Sequence, residues 1–302
     1  MRVGIWAAAV VVWLLCPAWS AQSDVPSGSG APTVFLRASV VDKSGNPVTN
    51  LPREAFKVFE DGVEQKIEVF RLEEGPLSIG VLVDISRSMK AVAADNLKQA
   101  VERFVGAAGP QDEFFLVEFN DVAYLKTPLT TDAGKLVSQL DLHRFAGVSA
   151  VRDVAYAAAR YMREARNPRK ALLIISDGDD NVSILKKAAV QDYLQGEDIQ
   201  VYCIGLPLES LPGLDPGAGG RVLDELSSPT GGVVLPSIKP KDLAEAAARI
   251  GARMRGGYVL GYSPANQKSG GKRGRPTVKL SLPRGSPSLR VITGPGPKAP
   301  PQ

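Results

Sequence analysis

Histidine and cysteine are nearly absent from this chain. Its 302 residues hold one histidine, His143, and two cysteines, Cys16 and Cys203. A multi-histidine zinc centre and a Cys/His finger are therefore excluded. A Ser-His-Asp triad would have to use His143, and no Gly-x-Ser-x-Gly stretch supplies its serine; His143 reads as a loop residue. No Gly-x4-Gly-Lys-Ser/Thr loop occurs, and no Gly-x-Gly-x-x-Gly leads from a strand into a helix. Strong net charge is missing too. At +4 the balance does not favour nucleic acid as a partner. After residue 15 no apolar run is long enough to span a bilayer.

What is present begins with an export pattern. Arg2 precedes an apolar run from Ile5 to Leu15, and Ala18-Trp19-Ser20 has the small-x-small form of a signal peptidase site. Residues 1–20 are expected to be a cleaved signal peptide, which makes the mature protein secreted or periplasmic. Leu15 is bulky where lipid attachment at Cys16 wants a small residue, so a lipid anchor is not expected. Loss of Cys16 leaves Cys203 alone, so no intrachain disulfide is expected. Cys203 lies in the apolar run Ile199–Ile204 and reads as a buried small residue.

Hydrophobic patterning divides the remainder. Residues 21–31 are rich in Ser, Gly and Pro and read as a linker. Residues 32–74 form a β-rich segment with strands at Val34–Val41, Phe56–Glu60 and Val63–Leu72. Asp61-Gly62 marks a hairpin between the last two. Residues 75–256 alternate strands with helices. Ile79–Val83, Phe114–Phe119, Ala171–Ile175 and Ile199–Ile204 are short apolar runs, as strands buried on both faces require. Val122–Lys126 is expected to be an antiparallel edge strand, and Gly231–Leu235 the last core strand. Helical stripes run through Leu97/Val101/Phe104, Val154/Ala158/Tyr161, Leu185/Ala189/Tyr193 and Leu243/Ala247/Ile250/Met254. The fold class is α/β: a doubly wound, Rossmann-like, mostly parallel sheet with helices on both faces. Leu206–Gly220 reads as a surface loop. Residues 257–292 return to strand character around a basic, Gly-rich turn, and residues 293–302 read as a disordered tail.

The chemistry concentrates at strand ends. In an open parallel sheet, ligands bind beyond the carboxyl ends of the strands. Asp84 ends one apolar run in "VLVDISRSMK", with Ser86 and Ser88 at alternate positions after it. Asp177 ends another in "IISDG", and Ser149 follows a Gly turn in "FAGVSAVRD". Taken singly, each serine reads better as a helix cap, and Asp177-Gly178 as a turn. Together the five form an all-oxygen set of the kind hard divalent cations prefer, with Mg²⁺ expected and Mn²⁺ or Ca²⁺ as alternatives. Asp179 and Asp180 are expected to be solvated. A calcium loop opening at Asp177 fails, because Val182 replaces its Gly and no Glu closes it.

Asp84-x-Ser86-x-Ser88, Ser149 and "IISDG" closely resemble the von Willebrand factor A-type domain and its metal-ion-dependent adhesion site. The flanks "VTNLPREAFKVFEDGVEQKIEVF" and "GGYVLGYSP" look like those of secreted bacterial VWFA-related proteins of the acidobacterial type. The resemblance implies that Ser86 and Ser88 bind the metal directly, Asp84 directly or through water, and Asp177 through water. It puts Ser149 in place of the usual threonine. It also implies that the two flanks pack as one small β-module beside the main domain. Arg87 departs from the pattern, standing where a small residue is common. The function implied is a binding or adhesion module, not an enzyme, whose cation engages a carboxylate on a protein partner. A scaffold with a vestigial metal site is one alternative. A metal-dependent hydrolase is the other, and Asp177 or Asp179 would have to be its base.

Overall fold

The computed structural model describes residues 33–142, 144–207, 218–264 and 276–297. The expected signal peptide, linker, His143 and basic turn, and most of the 206–220 loop, lie outside these residues. So does the end of the expected tail.

In chain order the strands are β1 (Val34–Val41), β2 (Phe56–Glu60), β3 (Val63–Gln65), β4 (Ile67–Leu72), β5 (Leu77–Asp84), β6 (Glu113–Phe119), β7 (Ala123–Thr130), β8 (Arg169–Ser176), β9 (Ile199–Gly205), β10 (Val234–Leu235), β11 (Gly257–Tyr262), β12 (Thr277–Leu280) and β13 (Arg290–Pro295). The helices are α1 (Ala94–Val105), α2 (Ala133–Ser138), α3 (Val151–Tyr161), α4 (Lys187–Gly196), α5 (Ala218–Ser227) and α6 (Leu243–Arg255). Among the described residues, six strands form the central sheet in the order β10-β9-β8-β5-β6-β7. All pair in parallel except β7, which runs antiparallel to β6 at one edge.

Burial on both faces explains the apolar runs. All eight residues of β5 and all seven of β6 and β9 are buried. One face packs Val81, Val83, Leu173 and Ile175 against α1 and α6 through Leu97, Phe104, Ala247 and Ile250. The other packs Leu82, Phe115, Leu172 and Ile174 against α3 and α4 through Val154, Ala158, Val190 and Leu194. Gly80 interrupts β5 for a packing reason. A Cβ there would lie 2.3 Å from Phe115 Cζ and 2.7 Å from Leu172 Cδ2.

The two flanks make a separate β-module. A four-stranded antiparallel sheet has the order β13-β1-β11-β4, and a three-stranded one β12-β2-β3. Phe56, Tyr258, Leu36 and Val278 join their core. The Asp61-Gly62 hairpin closes with both residues at positive φ, 51° and 81°, the geometry of a type I′ turn.

Three expectations change. Val63–Leu72 is two strands, because the chain passes at Lys66 from the smaller sheet to the larger. The last core strand shortens to Val234–Leu235. The expected tail begins inside a strand: β13 continues to Pro295, with Thr293 opposite Ala38 and Pro295 opposite Leu36. An edge strand needs only half of its backbone groups paired, so it accommodates a proline.

Candidate metal centre

Three loops meet at the carboxyl ends of β5 and β8. Asp84 is the last residue of β5 and is fully buried. Its Oδ1 accepts from the Ser86 backbone N–H at 2.8 Å. Its Oδ2 accepts from Ser176 Oγ at 2.6 Å, and Ser149 Oγ donates to the same oxygen at 3.1 Å. Backbone bonds stitch the loops together. Ala146 N–H donates to Ile85 O, Arg87 N–H to Gly147 O, and Asn181 N–H to Ser149 O, at 3.0, 3.2 and 3.0 Å.

The helix-cap reading of the serines does not hold. Ser86 precedes the 3-10 turn Arg87–Ala91, yet its hydroxyl caps nothing. It lies 3.2 Å from Ser88 Oγ instead. The residue at the cap position of α3 is Ala150, one place after Ser149, and the Ser149 hydroxyl turns inward to Asp84. Asp177 is 4% exposed; Oδ1 accepts from Asp179 N–H at 3.0 Å, and Oδ2 is buried with no hydrogen-bond partner. All five residues singled out by the sequence therefore share one rim. Ser88 and Ser149 line a cleft of about 250 Å³ together with Arg87, Asp121 and Asp179, and the buried Asp84 and Ser86 contact these two serines.

The electrostatics are those of acids short of positive charge. Burial pushes the Asp84 carboxyl up to about 6. Its bonds from Ser176 and Ser86 oppose that rise, and the neighbouring Asp177 adds to it. Burial likewise raises Asp177, with the Ser88 hydroxyl beside it easing its charge only in part. Among the described residues no three His, Cys, Asp or Glu side chains cluster as a metal nest. A cation here would rest on two carboxylates and three hydroxyls. The unshared Asp177 oxygen and the undercompensated Asp84 charge fit a hard divalent ion.

Sequence reasoning missed two residues. Ser176 holds Asp84 in place and also accepts from Gly178 N–H at 2.8 Å. Its signal was a hydroxyl at the end of an apolar strand. Asp180 was expected to be solvated, but its side chain is buried. It pairs with Arg152 and accepts from Val151 N–H at 3.0 Å and Ser183 Oγ at 2.6 Å, so it anchors the start of α3. Gly178 is required by its turn. Its φ is 77°, and a Cβ would meet Gly219 O at 2.2 Å.

Residues 78–231 match the family model of the von Willebrand factor type A domain. Among solved structures, the chain is similar to a von Willebrand factor type A protein from Catenulispora acidiphila. That match has 14% identity over 88% of this chain and 75% of the other, with a TM-score of 0.52. It is also similar to an aerotolerance-related membrane protein from Bacteroides fragilis, at 18% identity over 59% of this chain and 98% of the other, TM-score 0.47. A third is the vWF domain of the type V pili tip protein Mfa5 from Porphyromonas gingivalis, at 12% identity over 58% and 94%, TM-score 0.45. No curated protein matches the chain.

Proposed function

We propose that this chain, which belongs to the von Willebrand factor type A family, is a secreted or periplasmic binding module that holds a divalent cation at its rim and through it an acidic group of a protein partner. Domains of this family are in general protein-interaction modules rather than enzymes. Among the described residues no helix is long and apolar enough to cross a membrane.

One observation carries the reading. Asp84 and Asp177 are buried side by side with hydroxyls around them and, among the described residues, no basic partner. Leaving that charge uncompensated is costly, and a cation would relieve it. Ser86, Ser88 and Ser149 would offer neutral oxygens to Mg²⁺, while Asp84 and Asp177 would supply the negative charge. The bound ion would supply a Lewis-acidic open position for a carboxylate. With only two acids in the set, that position keeps its attraction for a third from outside. Ser176 would hold Asp84 in orientation, as an outer partner does for a metal ligand.

Titration calorimetry tests the metal. Mg²⁺ or Mn²⁺ should bind the full chain with one saturable site, and Asp84→Ala should remove it. Unchanged affinity in that variant would sink the reading. A pull-down from envelope and secreted fractions tests the partner. Capture should occur in Mg²⁺ and vanish in EDTA; capture that persists in excess EDTA would favour a scaffold role.

A further inference from the structure

The other end of the central domain carries the reverse arrangement, cations without an anion. Arg253 lies in the last turn of α6 and is 4% exposed. Its Nε donates to Gly45 O at 3.3 Å, while its Nη1 is buried and donates to nothing. Arg249 is one turn earlier on the same helix face, and its buried Nε also lacks an acceptor. Both guanidinium groups point to one place. A Cβ on Gly45 would sit 3.2 Å from Arg253 Nη2 and 3.8 Å from Arg249 Nη1. Gly45 itself has φ +85° and belongs to the turn after β1. Arg290 opens β13 opposite Val41, beside that turn. Burial and then the charges of Arg290 and Arg249 hold the Arg253 pKa below its ordinary value.

Among the described residues no carboxylate pairs with these three. Asp42, in the same turn, accepts from Asn46 N–H at 2.9 Å and from Asn46 Nδ2 at 3.2 Å. Elsewhere Arg37 has Glu73 and Asp198, Arg152 has Asp180 and Glu225, and Arg255 has Asp112, while half-buried Arg169 donates to two carbonyls, Gly75 O and Met254 O. The field at a helix C-terminus favours cations, but it offsets only a fraction of the cost of burying one unpaired.

We propose that Arg249, Arg253 and Arg290 form a binding site for a phosphate-type oxyanion, which ties the β-module to α6. A carboxylate's two oxygens are satisfied by a single guanidinium fork. A tetrahedral dianion presents an oxygen to each of three donors, two from one helix face and one from a strand. The site lies away from the metal rim. Arg255, two residues after Arg253, bonds Asp112, which immediately precedes β6 at its amino end. It is therefore independent of the metal reading.

Inorganic phosphate is the probe, titrated into the full chain at constant ionic strength with chloride as the balancing salt. The expected result is a saturable 1:1 heat and a raised melting temperature that chloride does not reproduce. Arg290→Gln, at an exposed position, should weaken phosphate at least tenfold and leave Mg²⁺ binding unchanged; Arg249→Gln should do the same. Glycerol phosphate, added as competitor, separates a site open to phosphate esters from one closed around the free ion, and either result supports the site. Absence of a saturable heat, or full phosphate affinity in Arg290→Gln with native circular dichroism, would overturn it.

Discussion

Acids are buried at both ends of the central sheet, and they are treated differently. At the amino ends, Asp112 accepts from the backbone N–H groups of Leu77 at 2.7 Å and Gly109 at 2.6 Å, and pairs with Arg255. Its neighbour Glu113 is opposed by burial, yet the Ser78 hydroxyl and the Arg166 backbone and guanidinium prevail and hold its pKa below the usual carboxylate range. At the carboxyl ends, Asp84 and Asp177 receive hydroxyls and backbone N–H groups but, among the described residues, no arginine, and both are raised. An acid that only supports the fold is neutralised from within the chain. An acid left without internal compensation leaves that task to something from outside.

The contrast can be broken at either end. The largest expected effect is at the supporting end. Asp112→Ala should cost about 3 kcal/mol, because it strands two backbone donors and removes the acid partner of a half-buried arginine. Urea unfolding should show the same loss in Mg²⁺ and in EDTA; a loss that depends on the metal would erase the distinction. Next is Asp84→Asn. At a Mg²⁺ concentration one hundred times its dissociation constant the native chain should gain about 2.7 kcal/mol. The variant should gain nothing, while in EDTA it should be no less stable than the parent, since a buried charge has gone. Ser149→Ala should weaken Mg²⁺ by about tenfold in calorimetry, the worth of one hydroxyl contact near a charge. The smallest change is Arg87→Gln. Removing an exposed cation beside the cleft should tighten Mg²⁺ by about threefold at low salt, and the gain should vanish at 0.5 M NaCl.

Much of this was legible in the sequence where a local pattern has one physical cause. The continuous apolar runs of β5, β6, β8 and β9 meant burial on both faces, and the helical stripes between them meant parallel crossovers. The five rim residues were legible because strand ends and loop spacing converge in such a sheet. Ser176 was not, because its role depends on the register of β8 against β5. Val83 pairs with Ile175, so the next residues, Asp84 and Ser176, come side by side. Asp180 was misread for the same reason, since Arg152 lies 28 positions away. The passage of the chain between sheets at Lys66 leaves no mark in composition. β13 was hidden by Gly294 and Pro295, which read as breakers until an edge position tolerates them. Pro128 in the edge strand β7 is the same case, and that strand runs four residues beyond its expected end to Thr130.

The pairing of β1 with β13 has a mechanical side. Leu36 lies opposite Pro295 and Val41 opposite Arg290, so the chain enters β1 and leaves β13 at the same end of the ladder. A pull applied to those two points would load the pairs one after another, as a zipper opens, at low force. A pull between the rim and either point would instead run through β5, whose whole length is clamped between β6 and β8. Optical-tweezer attachment at the two ends, compared with attachment at one end and at a rim-bound partner, should give a low and a high rupture force respectively. Such a domain would yield easily to stretching between the start of β1 and the end of β13 and resist a load carried along β5.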